Sequence, residues 1–130
     1  MGFSLLYDHG KGVLLVRFGR VLTRAVHEAL FEAAQRFVAK FGDRPAIADF
    51  SAVEDVEVDM RFWRELARRP RVIRGTERVL VAPQDQVFGL IRMYGILQAD
   101  SGDEPMVVRT LPEAYARLGI DRPAFQPIDL

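Results

Sequence analysis

The sequence predicts a single α/β domain built on a mostly parallel sheet, and three observations predict it. Glu77 to Thr110 reads as strand, helix and strand within about thirty residues, a βαβ unit with a right-handed crossover. Two β-rich runs around a glycine-containing loop open the chain, as a hairpin does. Between and after these, apolar runs alternate with stripes at helical spacing, giving the order β-β-α-β-α-β-α-β-α.

The elements follow from the residues in order. Phe3 to Tyr7 and Val13 to Phe18 flank Asp8-His9-Gly10-Lys11-Gly12, where Gly10 and Gly12 can supply positive φ at little steric cost. A phosphate-binding reading of that loop fails on context, because the glycines precede a strand rather than a helix. Thr23 is the N-cap of a first helix whose core stripe is Val26, Ala29, Leu30, Ala33 and Phe37, with Gly42 just past its last turn. His27 lies beside this stripe. A lone helical histidine with no partner ligand in the pattern is a packing residue rather than a metal or catalytic one.

Pro45 to Phe50 is a third strand. The acidic stretch Glu54, Asp55, Glu57 and Asp59 follows as a solvated loop or a short edge segment. With Asp49 it could in principle hold a hard cation or an acid/base pair, but it lacks the spacing of a calcium loop. Asp59 caps a short helix to Arg68, buried through Phe62 and Leu66 with Trp63 beside them. Seven arginines from Arg61 to Arg78 form a basic run, read as a solvated face that the acidic stretch neutralises; phosphate binding is the competing reading. Val79 to Ala82, closed by Pro83, is a strand buried on both faces and flanked on both sides. Val87, Leu90, Ile91, Tyr94 and Leu97 are the core stripe of the third helix, and Pro105 to Val108 the next strand. Thr110 caps a last helix that stops at Gly119, so the domain spans 1–120, with 121–130 an irregular tail. The N-terminal strand is expected antiparallel at one edge of the sheet.

Composition excludes several classes. Lys plus Arg and Asp plus Glu balance at 18 each, so no global field favours nucleic acid or an anionic membrane. Cysteine is absent, which removes disulfides, thiolate metal sites and cysteine nucleophiles. No signal-peptide pattern or spanning stretch is present, and the default is a soluble cytoplasmic protein. Arginine outnumbers lysine sixteen to two, in keeping with a GC-rich bacterial genome. Nucleophile elbow, Walker loop, zinc-protease and dinucleotide motifs are missing, and none of Ser4, Ser51 and Ser101 carries a catalytic signature. The expectation is a non-enzymatic domain with no cofactor and no metal.

The hairpin, GRVLT leading into the first helix, the DFSAV strand end and the order of elements resemble the STAS fold of bacterial anti-sigma-factor antagonists. VLVAPQDQVFGLIRMYGILQ, the strand after it and the LPEAYARL helix resemble a bacterial family described as SpoIIAA-like, or STAS/SEC14-like, of uncharacterised proteins. The resemblance implies a STAS-like single domain that works by binding. Anti-sigma antagonists carry a phosphorylatable serine in an Asp-Ser-Ser-Gly motif at the start of their second helix. Glu57-Val58-Asp59-Met60 occupies that place here, so Val58 and Asp59 leave the motif without an acceptor hydroxyl.

One surface stands out. On a helical wheel Phe88, Gly89, Arg92 and Ile96 fall opposite the core stripe of the third helix, with Met93 at its flank. An exposed patch of Phe, Met and Ile marks an interface or an apolar-ligand groove unless the chain itself covers it. The readings are self-association as a homodimer or binding of a protein partner, burial under a tail carrying Phe125 and Ile128, or a lipid-like ligand. The functional expectation is a homodimeric binding domain, with a carrier or sensor of a small apolar ligand as the alternative.

Overall fold

The computed structural model describes residues 2–99 and 104–130. A six-stranded sheet runs in the order β7-β6-β4-β2-β1-β8, formed by β1 (Phe3–Asp8), β2 (Val13–Phe18), β4 (Ala46–Asp49), β6 (Arg78–Val81), β7 (Met106–Val108) and β8 (Gln126–Pro127). β3 (Val21–Thr23) and β5 (Asp55–Glu57) pair in parallel as a separate two-stranded ribbon. The helices are α1 (Arg24–Phe41), α2 (Met60–Arg68), α3 (Asp85–Ala99) and α4 (Leu111–Leu118).

β2, β4, β6 and β7 are parallel neighbours, whereas β1 and β8 are antiparallel to the strands beside them. The α/β class and the flanking of the 79–82 strand on both sides are as expected. The N-terminal strand is not the edge, because Gln126–Pro127 pair outside it at Leu6 and Tyr7. The tail is therefore not wholly irregular. Pro127 is compatible with that position, since an outermost strand has one unpaired side that needs no donor.

Handedness places the helices. The steps β2-α1-β4, β4-α2-β6 and β6-α3-β7 all move the same way across the sheet, so right-handed crossovers put α1, α2 and α3 on one face. The step from β7 through α4 to β8 returns across the whole sheet, which puts α4 on the other face. β2 accordingly alternates between two cores: Leu14, Val16 and Phe18 pack with Phe37, Trp63 and Ile91, whereas Val13 and Leu15 pack with Ala114. That is why the strand is apolar at nearly every position.

Caps bound the helices where the sequence places them. Thr23 accepts from the N–H of Val26 at 3.1 Å, Asp59 from that of Phe62 at 2.9 Å, and Thr110 from that of Glu113 at 3.3 Å. Gly119 ends α4 in the left-handed region at φ 67°, which glycine adopts without a Cβ clash. In the hairpin only Gly12 takes positive φ, also 67°, while Gly10 does not. Asp8 organises that turn. Its Oδ1 accepts from the Lys11 N–H at 2.9 Å and its Oδ2 from the Ala124 N–H at 2.8 Å, tying hairpin to tail. These two backbone donors hold the Asp8 carboxyl below the usual carboxylate range.

β3 and β5 escape a sequence reading because each has only three residues and β5 carries Asp55 and Glu57. Their side chains face outward while Val56 turns in, the edge-segment reading of the acidic stretch.

Candidate functional site

The first core, under α1, α2 and α3, is not filled. A cavity of about 190 Å³ lies between these helices, the sheet and the 69–73 segment that follows α2. Sheet residues Leu14, Val16, Phe18, Ala48 and Leu80 form its floor, and Leu30, Phe31 and Ala34 of α1 one wall. Trp63 and Leu66 of α2 and Ile91 and Tyr94 of α3 form the other. Apolar cavities of about 150 Å³ already take benzene-sized molecules. The lining is mostly aliphatic and aromatic, with few polar groups, the usual make-up of a small-molecule site.

Those polar groups come from His27, Trp63, Tyr94, Gln98 and three arginines, Arg69, Arg71 and Arg78. His27 sits on the first turns of α1 and is buried among the rings of Phe18, Phe62 and Trp63. Burial pushes its imidazole down to about 4, helped by the nearby Arg69 cation, so His27 is neutral at pH 7. Arg69 pairs with Glu28, which lowers the Glu28 carboxyl and raises Arg69, each through the hydrogen bond between them. Arg78 donates to the side-chain carbonyl of Gln98, which is buried at the far end of α3.

The arginine run is thus mixed in role. Arg61, Arg64 and Arg68 are exposed, and Arg61 and Arg24 both lie 3.6 Å from Glu65. Arg74 is held by the Asp43 carboxylate and the Arg71 carbonyl, while Arg69, Arg71 and Arg78 line the cavity. Acidic residues of the 54–59 stretch serve the fold rather than gather: Glu54 pairs with Arg20 at 2.8 Å, and Asp59 caps α2. Among the described residues no three acidic or histidine side chains converge as a metal site would require.

Val58 and Asp59 stand at the start of α2, Val58 half-buried against the first core and Asp59 bonded to its own helix. At the end of β4 Asp49 is buried and accepts from both the N–H and the hydroxyl of Ser51, with Arg17 at 3.8 Å. Ser101 lies outside the described residues.

The face predicted on α3 divides. Gly89, Arg92 and Ile96 are exposed, Ile96 by 58 %. Phe88 and Met93 are half-buried; Phe88 packs against the first core, and the Arg109 guanidinium lies 3.8 Å over its ring. The tail does not cover this face. Phe125 stacks toward Tyr115 on the α4 side and Gln126–Pro127 join β1, at the edge opposite the one α3 flanks. An alanine methyl at Gly89 would meet nothing within 4 Å, so the protomer itself imposes no steric need for glycine there.

Sequence reasoning placed Gly89, Arg92 and Ile96 outward on α3, put Phe88 there too although it packs on the core, and missed the cavity. Its signals were faint: a histidine beside an apolar helical stripe, and the only tryptophan in the chain. No helix among the described residues is long and apolar enough to cross a membrane. In comparisons with known proteins, neither a family model nor a curated sequence matches this chain.

Proposed function

We propose that this protein is a binding domain that takes one small, largely apolar molecule in the cavity between the sheet and α1, α2 and α3. The observation that carries the reading is the cavity itself: about 190 Å³ with a mainly aliphatic and aromatic lining. Cores normally pack to crystal-like density with few voids larger than a water molecule. This cavity is partly open to solvent, so its apolar walls stand against water, and an apolar ligand replaces that water with dispersion contacts. The SEC14-like side of the sequence resemblance points the same way, and the order of the elements supports a STAS-like relationship.

Native mass spectrometry of protein purified from its own host tests it. The expected result is a species heavier by one small molecule that organic solvent extracts. Ala34→Leu, which fills the cavity from α1, should abolish that species. A parent protein carrying no adduct and displacing no polarity-sensitive dye would count against the reading.

A second reading, a homodimer through α3, is favoured by one observation. Gly89 costs a helix about 0.5–1 kcal/mol relative to alanine, and nothing in the protomer requires it. A second copy packed closely on Gly89, Arg92 and Ile96 would. Phe88→Glu with Ile96→Lys should then convert a dimer to a folded monomer by light scattering; a parent that is already monomeric ends that reading.

A further inference from the structure

We infer that His27 and Trp63 form the polar anchor of the cavity, and that the ligand is an uncharged apolar chain or ring ending in a hydroxyl. This rests on the reading of the cavity as a ligand site and specifies its chemistry.

Two polar atoms of side chains that line the cavity lack what buried polar atoms almost always have. The Nε2 of His27 and the Nε1 of Trp63 are closed to solvent and meet no hydrogen-bond partner among the described residues. Both residues line the cavity and are nearly inaccessible, at 7 % and 2 % exposure. Their rings meet edge to face with centroids 5.5 Å apart, so the two side chains adjoin at one corner of the cavity. The remainder of the lining is aliphatic and aromatic through Leu30, Phe31, Leu66 and Ile91, and its arginines are engaged: Arg69 with Glu28, Arg78 with Gln98, and Arg71 in contacts of its own.

The inventory of donors and acceptors sets the ligand class. An indole N–H only donates, so its partner must present a lone pair. A neutral imidazole nitrogen either donates or accepts, according to tautomer. A hydroxyl does both at once: it accepts from Trp63 and donates to His27. A carboxylate fits less well, because it would carry a charge into surroundings whose burial already suppresses the imidazolium. The Arg69 cation felt at His27 is already paired with Glu28.

The experiment uses the full chain, labelled with ¹⁵N, with 1-octanol, n-octane and octanoate as probes at pH 7. Trp63 is the only tryptophan, so one indole N–H resonance reports on the anchor directly. Octanol should move that resonance downfield and octane should not. His27→Phe keeps the ring packing and should weaken octanol about tenfold while leaving octane unchanged, the worth of one hydrogen bond. If that variant does not fold, the indole shift in the parent still decides. Octane and octanol binding alike, with a stationary indole signal, would overturn the anchor and leave the cavity reading standing. Tightest binding by octanoate would overturn the hydroxyl in favour of an acid. Binding by none of the three would remove the cavity reading and the anchor with it.

Discussion

On one face of the sheet three helices converge over Leu14, Val16 and Leu80, whereas on the other a single helix and the tail lie over Leu15, Ile47, Val79 and Val81. The second face is closed: Ile47, Val79, Val81 and Ala114 are all 0 % exposed. α4 presents Ala114 to the strands, and a side chain that small lets the helix backbone approach closely. The first face carries large rings: Phe37 on α1, Phe62 and Trp63 on α2, Tyr94 on α3 and Phe50 just after β4. Rigid rings carried on separate axes hold those helices apart where they meet, and the cavity lies there. One helix on a sheet can settle until contact is complete. Three helices whose positions are fixed by the strands they connect cannot all do so.

The largest effect should come from breaking the closed face. Val81→Asp puts an unpaired charge where nothing can solvate it, and more than about 4 kcal/mol should be lost, enough to prevent folding. Circular dichroism showing a soluble variant with a cooperative melt would mean that β6 is less central than its position between β4 and β7 implies.

The open face should show a pH dependence of its own, set by His27. His27 stays neutral in the fold down to about 4, whereas its ordinary value is 6.5. Between those values the unfolded chain binds a proton that the native state refuses, so stability present above 6.5 is lost as pH falls toward 4. The loss should reach about 3 kcal/mol, at about 1.4 kcal/mol per unit. Urea unfolding at several pH values measures it. His27→Phe should flatten this window, and an unchanged slope would place the imidazole in contact with water.

The smallest effects have opposite signs and contrast the faces most sharply. Ala114→Leu overpacks the contact between α4 and the sheet and should cost about 1–3 kcal/mol. Ala34→Leu adds the same atoms toward the cavity and should be neutral or stabilising by up to about 1 kcal/mol. Thermal melts of the two variants compare them directly. Equal destabilisation would mean that the first core has no room for a side chain.

Much of the molecule was legible because local physics decides it. Thr23, Asp59 and Thr110 cap the helices that the sequence assigns them, since an N-cap needs only its own next three residues. The apolar run of β6 announces burial on both faces in the same way. β8 was not legible: Gln126 and Pro127 have no strand character of their own, and only β1, with Asp8 holding Ala124, makes them one.

The sequence by itself determined the α/β class, the main elements and the absence of any cysteine chemistry, because periodicity, caps and composition act over a few residues. It also placed Gly89, Arg92 and Ile96 away from the core, since a helix has a fixed repeat. Only the tertiary structure decided that His27 and Trp63, thirty-six positions apart in the chain, meet ring to ring, and that a cavity lies beside them. A void belongs to no residue. It is set by how far the helices stand from one another, and that distance depends on every side chain between them at once.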